Sequence, residues 1–157
     1  MADNGKLYQT YSSDMARGTQ LLCHKADFIL PNLTEACLLL NEPYRSERYR
    51  TREAVARLAQ DLAARFQCGV VLTGIGFSPE QTGAACLAGP GDEPAFAFSQ
   101  KVARHYHGTG DLFASVFVAA KMKGLEIGRC AQIAADFVSD TIAPVSYTHL
   151  RAHETVL

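Results

Sequence analysis

Between Thr51 and Phe66, the residues Val55, Leu58, Ala59, Leu62 and Phe66 fall at i, i+3, i+4, i+7 and i+11, one apolar face of a helix. Four residues later the pattern changes. Val70-Val71-Leu72-Thr73 is near-continuously apolar, as a strand covered on both faces must be. A one-striped helix feeding a two-faced strand points to a layered α/β fold. The rest of the chain repeats the alternation. Asp14 to Cys23 reads as a helix capped by Ser12 or Ser13, and Asp27-Phe28-Ile29-Leu30 as a short buried strand stopped by Pro31. Leu33 to Leu40 resumes helical spacing. Gly83 to Leu87 and Ala95 to Ser99, separated by Gly89-Pro90-Gly91-Asp92-Glu93, read as a hairpin with a long turn. Leu112 to Met122 is apolar on nearly every side, a buried helix, and Ile127 to Ile142 is a last amphipathic one. The expected class is α/β, a layered αβα arrangement around a mostly parallel sheet with a hairpin in its C-terminal half.

In open α/β sheets ligands bind beyond the carboxyl ends of the strands. Asn32 lies just past the first strand, Thr73 ends the second, and Asp111 follows the hairpin. Topology predicts that these three converge at one edge of the sheet. Gly108-Thr109-Gly110-Asp111 is the sharpest chemical signal there. A Gly-x-Gly turn opening a helix aims backbone N–H groups and the positive end of the helix dipole at one point, a site for phosphate. An Asp in that turn is often no more than a cap. Next to a phosphate it needs a task, and accepting the proton of an attacking hydroxyl is one.

Composition narrows the function classes. The chain has 157 residues, 48% hydrophobic and 20% charged, with a formal net charge of −1. That balance gives no general attraction to nucleic acid or to an anionic membrane. No stretch approaches the roughly 20 apolar residues needed to span a bilayer, and the polar start Met1 to Lys6 has no signal-peptide apolar region. Cys23, Cys37, Cys68, Cys86 and Cys130 are odd in number and form no CxxC pair. They read as small buried hydrophobes of a cytoplasmic protein, with no disulfide framework and no zinc site. The mixed-charge segment Asn41 to Arg50 reads as a solvated loop despite Arg45, Arg48 and Arg50.

Val145 to Thr155 matches the translation of a common transposase-based sequencing adapter, with Pro144 supplying the codon that fits ahead of it. Residues 145–157 are therefore set apart from residues 1–144 as a non-native tail. The i, i+4 pair His149 and His153 within it carries no metal reading.

Four blocks in order resemble the ribokinase-like superfamily, most closely its pyridoxal/pyridoxamine kinases. Met1-Ala2-Asp3-Asn4-Gly5-Lys6-Leu7-Tyr8 resembles the later part of a D-P-V-M-G-D-x-G-x-L-Y segment. Ala2 stands where the family usually has Gly. Pro31-Asn32-Leu33-Thr34-Glu35-Ala36 resembles the P-N-x-x-E-A block, Val70 to Gly74 the strand whose terminal Thr approaches the nucleotide phosphates, and Gly108 to Asp111 the G-T-G-D anion hole. The resemblance implies the C-terminal part of a kinase domain whose N-terminal half and native C-terminus lie outside residues 1–144, from a homodimeric parent. It implies ATP and Mg²⁺, and transfer of the ATP γ-phosphoryl group to the 5′-hydroxymethyl of a vitamin B6 vitamer. Asp111 would be the base, and the N–H groups of Gly108, Thr109 and Gly110 the anion hole. Asn32 and Glu35 would hold Mg²⁺, with Asp3 and Thr73 near the phosphates or a cation. His105 and His107 flank the anion hole.

Two other readings of these residues stand beside those roles. Asn32 can cap the following helix with Glu35 completing a capping box, and Asp3-Asn4-Gly5 can be a plain turn. Rival activities are a hydroxymethylpyrimidine kinase, which typically carries Cys where Asp111 stands, and a sugar kinase, which usually shows G-A-G-D. A gene fragment without function is the third rival. The isolated 157 residues are expected to be inactive and poorly soluble, since an incomplete sheet exposes an apolar edge.

Overall fold

In the computed structural model, the backbone is described for residues 2–3, 5–9, 12–102 and 108–154. Short strands β1 (Ala2–Asp3) and β2 (Lys6–Leu7) pair as an antiparallel hairpin. Then come α1 (Ser13–Cys23), β3 (Phe28–Ile29), α2 (Leu33–Leu39), a 3₁₀ turn (Ser46–Tyr49) and α3 (Arg52–Phe66). The chain continues through β4 (Gly69–Ile75), β5 (Gln81–Leu87), β6 (Ala95–Gln100), α4 (Thr109–Met122) and α5 (Ile127–Glu154). Helix starts follow the capping rule. Ser12 accepts from the N–H of Met15, and Thr51 from that of Ala54.

The main sheet runs β3-β4-β5-β6. Its parallel pairing is β3 with β4, while β4 with β5 and β5 with β6 are antiparallel. The described sheet is thus mixed. The expected hairpin is β5–β6, and a second, unexpected hairpin joins β4 to β5 through residues 76–80. Alternation of side chains along the strands sorts the core into two layers. Ile29, Val70, Leu72, Ala85 and Leu87 face α2 and α3 with Val55, Leu62 and Phe66. Val71, Ala84, Cys86 and Ala97 face α4 and α5 with Phe113, Phe117, Cys130 and Ala134. The αβα layering follows directly. Strands β5 and β6 are close-packed, because a Cβ at Gly83 would run into the carbonyl of Ala97.

Three readings of the sequence need amendment. Helix α4 is not buried all round. Phe113, Phe117 and Ala120 are buried, but Val118 is exposed and Met122 is 83% exposed. Helix α5 does not stop at Ile142 but continues to Glu154, and residues 145–154 contain neither Gly nor Pro to break it. The segment from Asn41 to Arg50 is partly folded. Tyr49 is buried and its hydroxyl lies 3.1 Å from the thiol of Cys37, while Arg48 pairs with Glu42 at the surface.

Candidate functional site

Residues at the carboxyl ends of β3 and β4 are tied together by short bonds. The N–H of Thr73 donates to the carbonyl of Pro31 at 2.8 Å, and its hydroxyl donates to the same oxygen at 3.3 Å. Asn32 and Thr73 form a single parallel bridge beyond the end of β3. Gly74 follows at φ 72°, within an irregularity of the β4–β5 register. That left-handed turn favours glycine.

Asn32 is the N-cap of α2. Its Oδ1 accepts from the N–H of Glu35 at 2.9 Å, and a Glu35 carboxylate oxygen accepts from the N–H of Asn32 at 3.1 Å. The capping box read from the sequence is therefore formed. The other half of the Asn32 amide, Nδ2, donates to the carbonyl of Ala2 at 2.8 Å. The β1–β2 hairpin is held against the start of α2 in this way, and the backbone of Asp3 comes to the same end of the sheet as Asn32 and Thr73. Thr34 adds a second tie by accepting from the N–H of Gly5 at 3.0 Å.

Helix α4 opens at Gly108, whose φ of 85° is left-handed. The first intrahelical bond runs from the N–H of Leu112 to the carbonyl of Gly108 at 3.0 Å. The N–H groups of Gly110 and Asp111 precede that bond and point out of the helix start. Asp111 is exposed in the first turn, where the helix dipole favours a carboxylate. The two glycines differ in kind. Gly108 is required by its φ. Gly110 has no positive φ, and a Cβ there would meet nothing within 4 Å. Neither backbone geometry nor packing within the described chain asks for glycine at 110, in a helix where alanine would be favoured by roughly 1 kcal/mol. A glycine there leaves the backbone open to close approach.

Helix α4 lies over the start of β3. The Phe117 ring meets Phe28 edge-on with centroids 6.0 Å apart, and Lys121 Nζ lies 5.7 Å from the centroid of the same ring. Phe28 begins β3, so the later turns of α4 cover the start of that strand. Asp111 lies six residues before Phe117, about 9 Å along the helix. Asn32 lies four residues beyond Phe28, about 13 Å along the chain. Strand alternation also puts Thr73 on the α4 side of the sheet, since Val71 packs with Phe117.

No group of three or more His, Cys, Asp or Glu side chains among the described residues forms a metal cluster. Asn32 and Glu35 supply hard oxygen donors of the kind Mg²⁺ takes. Both are engaged in the capping box, but amide and carboxylate oxygens accept more than one partner. The pair is therefore compatible with a water-mediated cation. His105 and His107 lie outside the described residues. A cleft of about 250 Å³ lies elsewhere, beside α3, lined by Glu42, Arg48, Tyr49, Glu53 and Arg57 among others. It shares no residue with the Asn32–Thr73 end. We follow the sheet-end chemistry, because the charges of the cleft are mixed and two of them, Glu42 and Arg48, neutralise each other.

The sequence reading missed the clips around the hairpin. Asn4-Gly5 between short strands is a recognised hairpin signal, and it could have been found. Nothing in the sequence announced that Asn32 and Thr34 would hold that hairpin from 30 and 29 residues away.

Comparison with known proteins gives the family and the fold. Residues 3–156 match the phosphomethylpyrimidine kinase family. No curated protein matches the chain. Among solved structures, one is a Bacteroides thetaiotaomicron VPI-5482 protein, by name a phosphomethylpyrimidine kinase. It is 30% identical, with 89% of this chain and 48% of that one covered and a TM-score of 0.81 in its rhombohedral form. Its orthorhombic form, with pyridoxal, gives 0.78. Pyridoxal kinase from Lactobacillus plantarum is 27% identical, over 95% of this chain and 52% of that one, with a TM-score of 0.82. An ADP complex of Bacillus subtilis pyridoxal kinase, 24% identical over 83% of this chain and 49% of that one, shares the fold with a TM-score of 0.66. The chain spans about half the length of these structures.

Proposed function

The chain belongs to the phosphomethylpyrimidine kinase family, and on that footing we propose that the protein containing it transfers the γ-phosphoryl group of ATP to the 5′-hydroxymethyl group of a vitamin B6 vitamer. The observation that carries the reading is the start of α4, an exposed Asp111 one residue after a glycine that the chain's own packing does not require. Support for a pyridoxal-type acceptor comes from the Lactobacillus pyridoxal kinase and from the Bacteroides structure with pyridoxal. The family description keeps hydroxymethylpyrimidine as the second reading.

In the proposed reaction the substrate alcohol oxygen bonds to the γ-phosphorus as the bond from that phosphorus to the ADP oxygen breaks, and the alcohol proton passes to the Asp111 carboxylate. Charge on the transferring group falls against the N–H groups of Gly108, Thr109 and Gly110, fixed in place by the helix. Thr73 and Asp3 would face the phosphates or a cation. For Thr73 this means turning its hydroxyl hydrogen away from Pro31. Glu35 and Asn32 would hold Mg²⁺, partly through water. The ion's contribution when bound is to neutralise charge on the phosphate oxygens. Cytoplasmic placement and a homodimeric complete protein belong to the same proposal. The five buried free thiols suit a reducing compartment, and among the described residues no helix is long and apolar enough to cross a membrane.

The test is ATP-dependent phosphorylation of pyridoxal, pyridoxamine and hydroxymethylpyrimidine, side by side, by the longest reading frame that contains these residues. Vitamer turnover that falls about 10²- to 10⁴-fold in Asp111→Asn is the expected result. Turnover of hydroxymethylpyrimidine alone would hand the substrate to the second reading. Activity indifferent to Asp111 would remove it as the base.

A further inference from the structure

The β1–β2 hairpin has two residues in each strand, too few to be stable alone. Its place is set by two side chains of the α2 start and by one ring. Asn32 Nδ2 holds the carbonyl of Ala2, on one side of Asp3. Thr34 Oγ1 holds the N–H of Gly5, on the other. Gly5 itself, at φ 77°, lies so close to Tyr44 that a Cβ would stand 3.0 Å from its Cδ1, and Tyr44 stacks on the buried Tyr49. Ala2 is buried, and Thr34 is 8% exposed. In the hairpin register Asp3 is opposite Lys6. The ribbon that carries Asp3 and Lys6 is thus clamped at the carboxyl end of the sheet by Asn32 and Thr34.

We infer that Thr34 is a positioning residue, which holds Asp3 and Lys6 at the nucleotide end of the site through the Gly5 N–H. The inference rests on the phosphotransferase reading above and extends it to a residue that the P-N-x-x-E-A pattern leaves open. Asn32 takes part in the same clamp, but it is also the α2 cap, so its loss cannot separate the two effects. Thr34 separates them, because its hydroxyl makes no cap bond.

The experiment compares wild type, Thr34→Val and Thr34→Ser in the reading frame used for the activity assay. Hydrogen exchange at the Gly5 amide is read together with kcat and KM for ATP. In Thr34→Val the Gly5 amide loses protection and KM for ATP rises about fivefold, the factor equivalent to one net hydrogen bond. The change in kcat stays within about twofold. Thr34→Ser restores both readouts. Thr34→Ala repeats the test should the valine variant misfold. Unchanged Gly5 protection in Thr34→Val overturns the clamp. Lost protection with unchanged KM for ATP overturns the positioning role. A wild-type protein without ATP turnover would sink the phosphotransferase reading instead, and the exchange measurement would still report on the clamp.

Discussion

Gln132 closes the β6 edge of the sheet by gripping Phe98 with both ends of its side-chain amide. Nε2 donates to the carbonyl of Phe98 at 2.9 Å, and Oε1 accepts from the N–H of Phe98 at 3.3 Å. A side chain of α5 thus takes the place of the next strand beside β6, and Ser139 adds a bond to the carbonyl of Gln100 at 3.1 Å. Unpaired edges of this sort are templates for strand addition between molecules.

Replacing Gln132 by leucine keeps the bulk and removes both bonds to Phe98, together with the exposed bond from Nε2 to the Asp136 carboxylate. A loss of about 1–2 kcal/mol is expected, or roughly 2–8 °C in Tm for a chain of this size. Concentration-dependent self-association should accompany it. Calorimetry and light scattering test the two effects separately, and a Gln132→Leu protein with wild-type Tm and no association would deny the amide its edge-sealing role.

The two glycines at the start of α4 are expected to respond in opposite ways to alanine. Gly108→Ala forces a side chain into a φ of 85° and should destabilise by about 1 kcal/mol or more. Gly110→Ala meets open space and should leave Tm unchanged or raise it, since up to about 1 kcal/mol of helix propensity is gained. Turnover should nevertheless fall at least tenfold in Gly110→Ala, on the order expected when a bound group is displaced by about 1 Å. Paired melting curves and steady-state kinetics decide the matter. Full activity in Gly110→Ala would mean that no ligand approaches that backbone.

Burial pushes the Cys86 thiol from its ordinary 9.0 up to about 12, with the nearby Cys130 adding to the shift. Burial raises Cys23, Cys37, Cys68 and Cys130 as well. The sign follows from linkage. A thiol kept neutral in the folded chain, but free to ionise in the unfolded one, favours unfolding once pH exceeds the ordinary value. Its contribution is complete below about pH 9 and is lost progressively toward pH 12. Denaturant midpoints should therefore be flat in this respect from pH 7 to 8 and fall above 9. The native protein should also resist thiol reagents at pH 8 until it unfolds.

Helix and strand identities were legible because burial and periodicity coincide in this chain. All five residues of the α3 stripe, Val55 through Phe66, are in the core. Thr51, Ser12 and Asn32 cap as their residue types suggest. What escaped were features that depend on distant partners. The exposure of Val118 and Met122 is invisible in a run broken only by Ser115 and Lys121, since periodicity fails when nearly every position is hydrophobic. The β4–β5 hairpin was hidden because Gly76-Phe77-Ser78-Pro79-Glu80 reads as a loop of any kind, and the apolar run before it suits a parallel strand equally well. At the site, capping of α2 was readable from local spacing. The use of the same Asn32 amide to hold Ala2 was not, because hydrogen bonds across 30 residues leave no local pattern.

Asn32 joins a helix start and a hairpin through one short side chain, while its backbone bridges to Thr73. No other residue type reproduces that set. Aspartate keeps the acceptor and loses the donor, serine is too short to span both, and glutamine moves the amide outward by a methylene. In a saturation mutagenesis experiment every substitution at position 32 should therefore cost stability, whatever its part in chemistry, and that sensitivity would resemble that of a residue touching the reacting atoms. Assignment of roles around this end of the sheet is better drawn from pairwise substitutions with Thr34 and Thr73, where departures from additivity reveal which of the three connections each function depends on.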